Sequence, residues 1–412
     1  MNELGERLQL LRKARGWSLE ELATRIGAVV TRQALYKYEK GGTQPSRKVL
    51  VALADAFGVP PSSFFTPPSA HVHLEAYRKK SGLRVCDREQ IESSVILAIE
   101  DRVRLQNLLG IKTKPLPVQQ FEVAQLEDAE DAAQKLRALW GLGEDPISNV
   151  TRVLEENGFH VIEQDASPKF DGLSAVARDE NGVAIAAAVI SRSGLPGERQ
   201  RLNFTHEVGH IVPKITNSDL NEEWVAFRFG GAFLAPANIL RREVGEKRTA
   251  VGWDELLMLK GSLGISVQAL LRRLYDLEII SKDHYTEWFR FLTVAGLRKT
   301  EPNELPAEKP EWLRRNVLRA WSEGILASTE AERLLGEPLQ GAEISPVRLS
   351  QRQWSAFAPE ERLRLLAQGA ERAAQFYCVN PGWLRWATEQ LGDAPDAPKS
   401  EDYEPDDEAR TI

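Results

Sequence analysis

Apolar residues Leu4, Leu8 and Leu11 recur at helical spacing at the start of the chain. Ser18-Leu19-Glu20-Glu21 places Ser at an N-cap and Glu three positions on, a capping box that opens a short helix from Leu19 to Ile26. A turn at Gly27 leads into a second short helix starting at Thr31, and Gly41-Gly42 stops it. Pro45-Ser46 starts the next, with Val49, Leu50 and Leu53 facing inward. Residues 1–65 are therefore predicted to be an all-α head, closed by the Pro-rich joint Thr66-Pro67-Pro68-Ser69-Ala70. Ile91, Val95, Ile99 and Val103 stand four apart in a charged stretch, which predicts a helical connector over residues 71–114. Residues 115–299 pattern as an α+β domain. Within it, Gly172–Arg178 and Val183–Ile190 flank Asn181-Gly182 and predict a β-hairpin. Residues 300–310 carry three prolines and are predicted to be a linker. A small all-α module at 311–392 follows. The tail, 393–412, holds eight acids, two bases and no apolar core, and is expected to be disordered.

Composition adds little to this multidomain picture, but charge changes it. The 412 residues carry a net charge of −7, which by itself argues weakly against a nucleic-acid partner. The first 60 residues nevertheless hold ten Lys/Arg against six Asp/Glu, a basic head on an acidic body, which suits local contact with nucleic acid. The longest apolar run, Val183 to Ile190, is far short of the ~18 residues of a membrane span. The N-terminus lacks the apolar core of a secretory signal. Cys86 and Cys378 lie too far apart for a metal knuckle, so the expected setting is a reducing cytoplasm.

Two short helices around a tight Gly-containing turn make a helix-turn-helix, whose second helix enters the major groove by its N-terminal residues. Those residues are Thr31, Arg32 and Gln33. Arg can pair twice with guanine and Gln twice with adenine. Tyr36, Lys37 and Lys40 are placed to reach phosphates. Leu22-Ala23, Gly27, Arg32-Gln33-Ala34, Tyr38-Glu39-Lys40-Gly41 and Pro45-Ser46 resemble the Cro/lambda-repressor-like (XRE-family) helix-turn-helix over residues 4–64. The resemblance implies double-stranded DNA as a partner and a homodimer on a two-fold site. A helical protein-protein module of the same fold is the alternative.

Residues 199–212 read as a helix that Pro213 breaks. In it His206 and His210 are four apart, about 40° from each other on one face. Phe204, Val208 and Ile211 lie opposite. Two imidazoles one turn apart can bind one zinc ion, and Glu207 beside them can accept a proton from water; this is the chemistry of His-Glu-x-x-His. Zinc needs a third protein ligand. On the next helix Glu223 shares a stripe with Ala226, Phe227 and Gly230. Glu223 is either that ligand or a surface acid beside Glu222.

Phe204-Thr205-His206-Glu207-Val208-Gly209-His210, Glu223-x-x-Ala226-x-x-Phe229 and Phe233-Leu234-Ala235-Pro236 resemble the ImmA/IrrE metallopeptidases. Asp171-Gly172-Leu173-Ser174 is similar to that family's strand, and the likeness runs over about residues 120–297. It implies a zincin-like fold, a Zn2+ cofactor held by His206, His210 and Glu223, and Glu207 as the catalytic acid-base. The chain departs from the pattern at Gly230-Gly231, where relatives often carry Ala. By analogy, a sheet edge beside the zinc helix would hold an extended peptide. His284, Tyr285 and Tyr275 are candidates for stabilising the transition state, each also readable as structural. The C-terminal tryptophans, Trp312, Trp321, Trp354, Trp383 and Trp386, read as core residues or as the lining of a ligand pocket.

Three functions remain open on the sequence. The first is an endopeptidase that cuts a repressor or antitoxin-like partner to control transcription. The second is a DNA-binding regulator whose zinc domain senses a ligand or partner without proteolysis. The third is an antitoxin-like interaction protein. Intact His206, Glu207, His210 and Glu223 favour the first.

Overall fold

The head folds as its capping signals dictate. Helices α1 (Glu3–Ala14), α2 (Leu19–Arg25), α3 (Arg32–Glu39) and α4 (Arg47–Phe57) enclose a core of Leu8, Leu22, Leu35, Leu53 and Phe57. Ser18, Thr31 and Ser46 each accept a backbone N–H three residues on, and the Ser18–Glu21 capping box is reciprocal. This computed structural model describes residues 3–79, 83–112 and 115–339. The expectations for Trp354, Trp383, Trp386 and Cys378, for most of the module at 311–392, and for the 393–412 tail lie outside the described residues.

The predicted connector begins as a strand. β1 (His71–Lys79) precedes the helix α5 (Val85–Leu108), which holds the four-spaced Ile91, Val95, Ile99 and Val103. The cause is a short period-two pattern: Val72 and Leu74 rest on the core beneath the sheet while His71, His73 and Glu75 are exposed. β1 pairs antiparallel with a strand about a hundred residues later in the chain, which the local pattern could not reveal.

Beyond α5 come β2 (Phe121–Val123), α6 (Asp128–Leu139), α7 (Val150–Glu156), β3 (Phe159–Gln164), β4 (Phe170–Arg178) and β5 (Ala184–Arg192). β4 and β5 are the expected hairpin, and Asp179 accepts from Asn181 and Val183 in its turn. The sheet order is β1-β4-β5-β3, with β3 parallel to β5. Next follow α8 (Gly197–Ile211), β6 (Pro213–Ile215), α9 (Glu222–Leu234), α10 (Ala237–Val244), α11 (Trp253–Leu263), α12 (Val267–Asp276), α13 (Lys282–Val294), α14 (Trp312–Ser322) and α15 (Ser328–Leu335).

Layers follow from which side of each strand is apolar. Leu173, Ala175, Ala177, Ala186, Ala188 and Ile190 meet α5 on one face of the sheet. Val161, Val176, Ala187 and Val189 meet α8 and the helices beyond it on the other. The near-continuous apolar runs of β4 and β5 are what burial on both faces requires.

Residues up to Gly336 cluster as one compact unit. α5 turns a second face to the head: Leu97 joins the head core, Lys13 bonds Glu89 at 2.9 Å, and Arg7 pairs with Glu100. The stretch at 300–310 is docked rather than free, because Leu305 accepts from the Gly197 N–H at 2.8 Å and Glu308 from the Thr151 N–H at 2.7 Å. Among the described residues no helix is long and apolar enough to cross a membrane.

Candidate metal centre and nucleic-acid interface

α8 is a helix with almost no solvent face. Phe204, Val208 and Ile211 anchor it in the core, and Pro213 ends it. His206 and Glu207 are fully buried, and the His210 side chain is only 6% exposed. The two imidazole Nε2 atoms lie 3.2 Å apart. Glu223, in the first turn of α9, straddles them. One of its oxygens is 3.4 Å from His206 Nε2 and the other 3.6 Å from His210 Nε2.

These distances test the fit of zinc. Bonds of about 2.0–2.2 Å in a tetrahedron place ligand atoms about 3.3–3.6 Å apart. In the His206–His210–Glu223 group the two imidazole nitrogens, at 3.2 Å, fall just short of that spacing, and each Glu223 oxygen meets one imidazole within it, at 3.4 and 3.6 Å. Among the described residues it is the group of acidic, His and Cys side chains whose ligand atoms converge, all within 4.8 Å. The donor set, two imidazoles and one carboxylate, suits a catalytic zinc site with one position left for water or substrate.

Glycines bring the parts this close. A Cβ on Gly209 would lie 2.8 Å from the Ala226 Cα, and one on Gly230 would lie 2.9 Å from the His206 N. α8 and α9 therefore cross at backbone contact. Gly230, where the chain departs from the family resemblance, is one of the two glycines that permit the crossing. Phe227 packs its ring 4.2 Å from that of His206 while remaining 41% exposed, so it forms a wall of the site open to solvent.

Glu207 lies over β4. A Cβ on Gly172 would fall 2.2 Å from the Glu207 Oε1, so only glycine leaves room for the carboxylate. Asn203, one turn earlier on α8, donates to the Asp171 carbonyl at 3.2 Å and to the Ser191 hydroxyl at 3.1 Å, fixing α8 to β4 and β5. Sequence reasoning missed Gly172, Asn203 and Phe227 as parts of the site. A lone glycine within the strand was the available signal for the first of them.

The candidates for transition-state stabilisation are engaged elsewhere. His284 Nε2 accepts from the Val251 N–H and from Trp288 Nε1, each at 3.1 Å, and ties α13 to the segment before α11. Tyr275 and Tyr285 stack on each other with ring centres 4.9 Å apart. Trp312 packs 4.5 Å from His160, whose burial pushes its pKa down to about 3 and keeps it neutral.

In the head, Arg32, Gln33, Tyr36, Lys37 and Lys40 are all exposed along α3. Thr31, also exposed, caps the helix by accepting from the Ala34 N–H at 3.3 Å. Glu39, on the opposite side, is buried and held by Arg12 through a two-pronged pair, Nε at 2.6 Å and Nη2 at 2.9 Å. α3 thus turns a polar, basic face outward and locks its other face to α1.

No curated protein matches the chain. A helix-turn-helix family model matches residues 8–64, the span from within α1 to the end of the turn Pro61–Phe64. The head is an XRE-type helix-turn-helix DNA-binding domain, and the chain that carries it is a DNA-binding regulator.

Proposed function

We propose that the chain is a DNA-binding regulator with a zinc-dependent endopeptidase centre, which cleaves a repressor or antitoxin-like protein partner to control transcription. The observation that carries this is the His206–His210–Glu223 group, its imidazole nitrogens 3.2 Å apart and one Glu223 oxygen 3.4 Å from the first and the other 3.6 Å from the second, with the buried Glu207 beside it. His206, His210 and Glu223 would hold the ion. When bound, zinc supplies Lewis-acid polarisation of a peptide carbonyl and of water. Glu207, confined between α8 and Gly172, takes the proton of the attacking water and passes it to the leaving amine. Phe227 walls the site where a substrate side chain would rest. In the head, Arg32 and Gln33 read base edges from the start of α3, and Tyr36, Lys37 and Lys40 hold phosphates, with a homodimer spanning two half-sites.

The test separates ligand from base. Glu207→Gln is expected to keep stoichiometric zinc by elemental analysis and to keep DNA binding, yet to leave the partner uncut on immunoblots. His206→Ala is expected to lose zinc and cleavage together. Normal induction of the target promoter by Glu207→Gln, with the partner uncut in wild type too, would remove the peptidase.

One observation favours a second reading. α5 packs on the head with one face and on the sheet beneath the metal helix with the other, so a ligand at the metal centre could bias DNA binding without hydrolysis. That sensor is the outcome in which Glu207→Gln regulates normally.

A further inference from the structure

The sheet edge beside Glu207 is taken by the chain itself. α8 lies across the sheet on the face away from α5, against β4, β5 and β1, and its apolar stripe, Phe204, Val208 and Ile211, joins the core with Val161, Val176, Ala187 and Val189. Glu207 sits over Gly172 of β4. Asn203 and Glu207, which lie around α8 between the apolar stripe and the His206–His210 face, meet Asp171 and Gly172, so β4 is the strand on that side of the helix. In the β3-β5-β4 part of the sheet, β4 would be the open edge to which an extended peptide could add. β1 takes that edge.

The register is specific. Ala76 pairs with Ser174, Tyr77 with Leu173 and Arg78 with Gly172, the residue beneath the Glu207 carboxylate. This three-residue stretch is bracketed by irregularities. Glu75 is an extra residue between Leu74, opposite Ala175, and Ala76, while Asp171 is passed over between the partners of Arg78 and Lys79. Bulges of this kind re-aim a strand locally. β1 also packs against α8 directly.

Resting on the peptidase reading above, we propose that β1 is bound in the substrate position in cis, and that the chain hydrolyses its own backbone between Ala76 and Lys79. The oxygen of water adds to a carbonyl carbon in this stretch and the C–N bond to the next residue breaks. Both water protons end on the amine. The head fragment then ends in a carboxylate, the remainder begins with an ammonium, and water is the one co-reactant. The cut divides the polypeptide between the DNA-binding head and α5.

The experiment uses the full chain, purified free of metal, then supplied with zinc chloride and followed by intact-mass spectrometry. The expected result is two fragments with a new N-terminus at Tyr77, Arg78 or Lys79, formed at a first-order rate unchanged over a twentyfold dilution. Glu207→Gln and His206→Ala are expected to stay whole, and Glu207→Gln is expected to stay whole when mixed with wild type. Unfolded casein is included as an external substrate. A zinc-loaded chain that stays whole while cutting casein overturns the proposal and spares the peptidase. Cleavage of Glu207→Gln by wild type overturns the docking in cis. A zinc-loaded chain that cuts neither itself nor casein overturns both readings.

Discussion

Gly172 shows how much a single missing Cβ decides. With its Cβ position 2.2 Å from the Glu207 Oε1, Gly172→Ala must move either the strand or the carboxylate, and the strand is held between two neighbours. The expected outcome is a protein with full zinc content and a hydrolysis rate lowered about a hundredfold, since a misplacement of ~1 Å in a catalytic group has that scale. Elemental analysis together with casein hydrolysis checks it, and undiminished hydrolysis would contradict the assigned role of Glu207. The neighbouring residues differ in how readable they were. His206, Glu207 and His210 sit within one helical turn, so their convergence follows from spacing alone. Glu223 reads from its own stripe as either ligand or surface acid, and only the crossing of α8 and α9 at Gly209 and Gly230 brings its oxygens to 3.4 and 3.6 Å from the imidazoles. Gly172 comes from another element altogether, and nothing local ties it to Glu207.

At the scale of elements, α3 and the α6–α9–α12 junction carry separate expectations. Arg32→Ala or Gln33→Ala is expected to relax sequence preference roughly ten- to a hundredfold, the worth of one lost two-pronged base contact. Lys37→Ala or Lys40→Ala is expected to weaken all duplexes alike and to flatten the salt dependence of binding. Titrations of promoter and random duplex at several salt concentrations distinguish the two patterns. Elsewhere, Glu130 of α6 joins Arg273 of α12 at 2.9 Å and also bonds Arg228 of α9. Burial alone would raise its pKa, but the two guanidiniums outweigh burial and hold it below the usual carboxylate range. A depressed carboxylate stabilises the fold fully above the ordinary value of about 4.3 and loses that contribution as pH falls through its own lowered value. Glu130→Gln is expected to cost about 3 kcal/mol at neutral pH, because it leaves the buried Arg273 and the half-buried Arg228 short of a partner, and the cost is expected to shrink below pH ~4. Urea melts of both proteins across that range check it; a pH-independent difference would rule out the ion pair as the cause. Element type was largely legible where caps or four-residue spacing marked it, as at Ser18, Thr31, Ser46 and Ile91–Val103. β1 was not, because Val72 and Leu74 give only two inward positions and its partner strand is remote in sequence.

At the scale of the molecule, hydrophobic pattern alone would end the α+β domain at about residue 299, where the prolines begin. The structure moves that limit. Glu301 is buried, reaches Lys260 Nζ at 3.1 Å, and accepts the N–H groups of Val267 and Gln268, the first residues of α12. Glu308 exchanges hydrogen bonds with Gln200 on α8, and Glu155 accepts the N–H of Trp312. A chain shortened to residue 299 would leave Lys260 with Glu198 as its remaining counter-charge, take the Glu301 acceptor from the Val267 and Gln268 N–H groups while Ser266 still caps α12, and strip the first turns of α8 of their covering. The stretch from Glu301 to Trp312 is thus the outer rim of the body that holds His206, His210 and Glu223, and any shorter fragment meant to retain that group has to run through it.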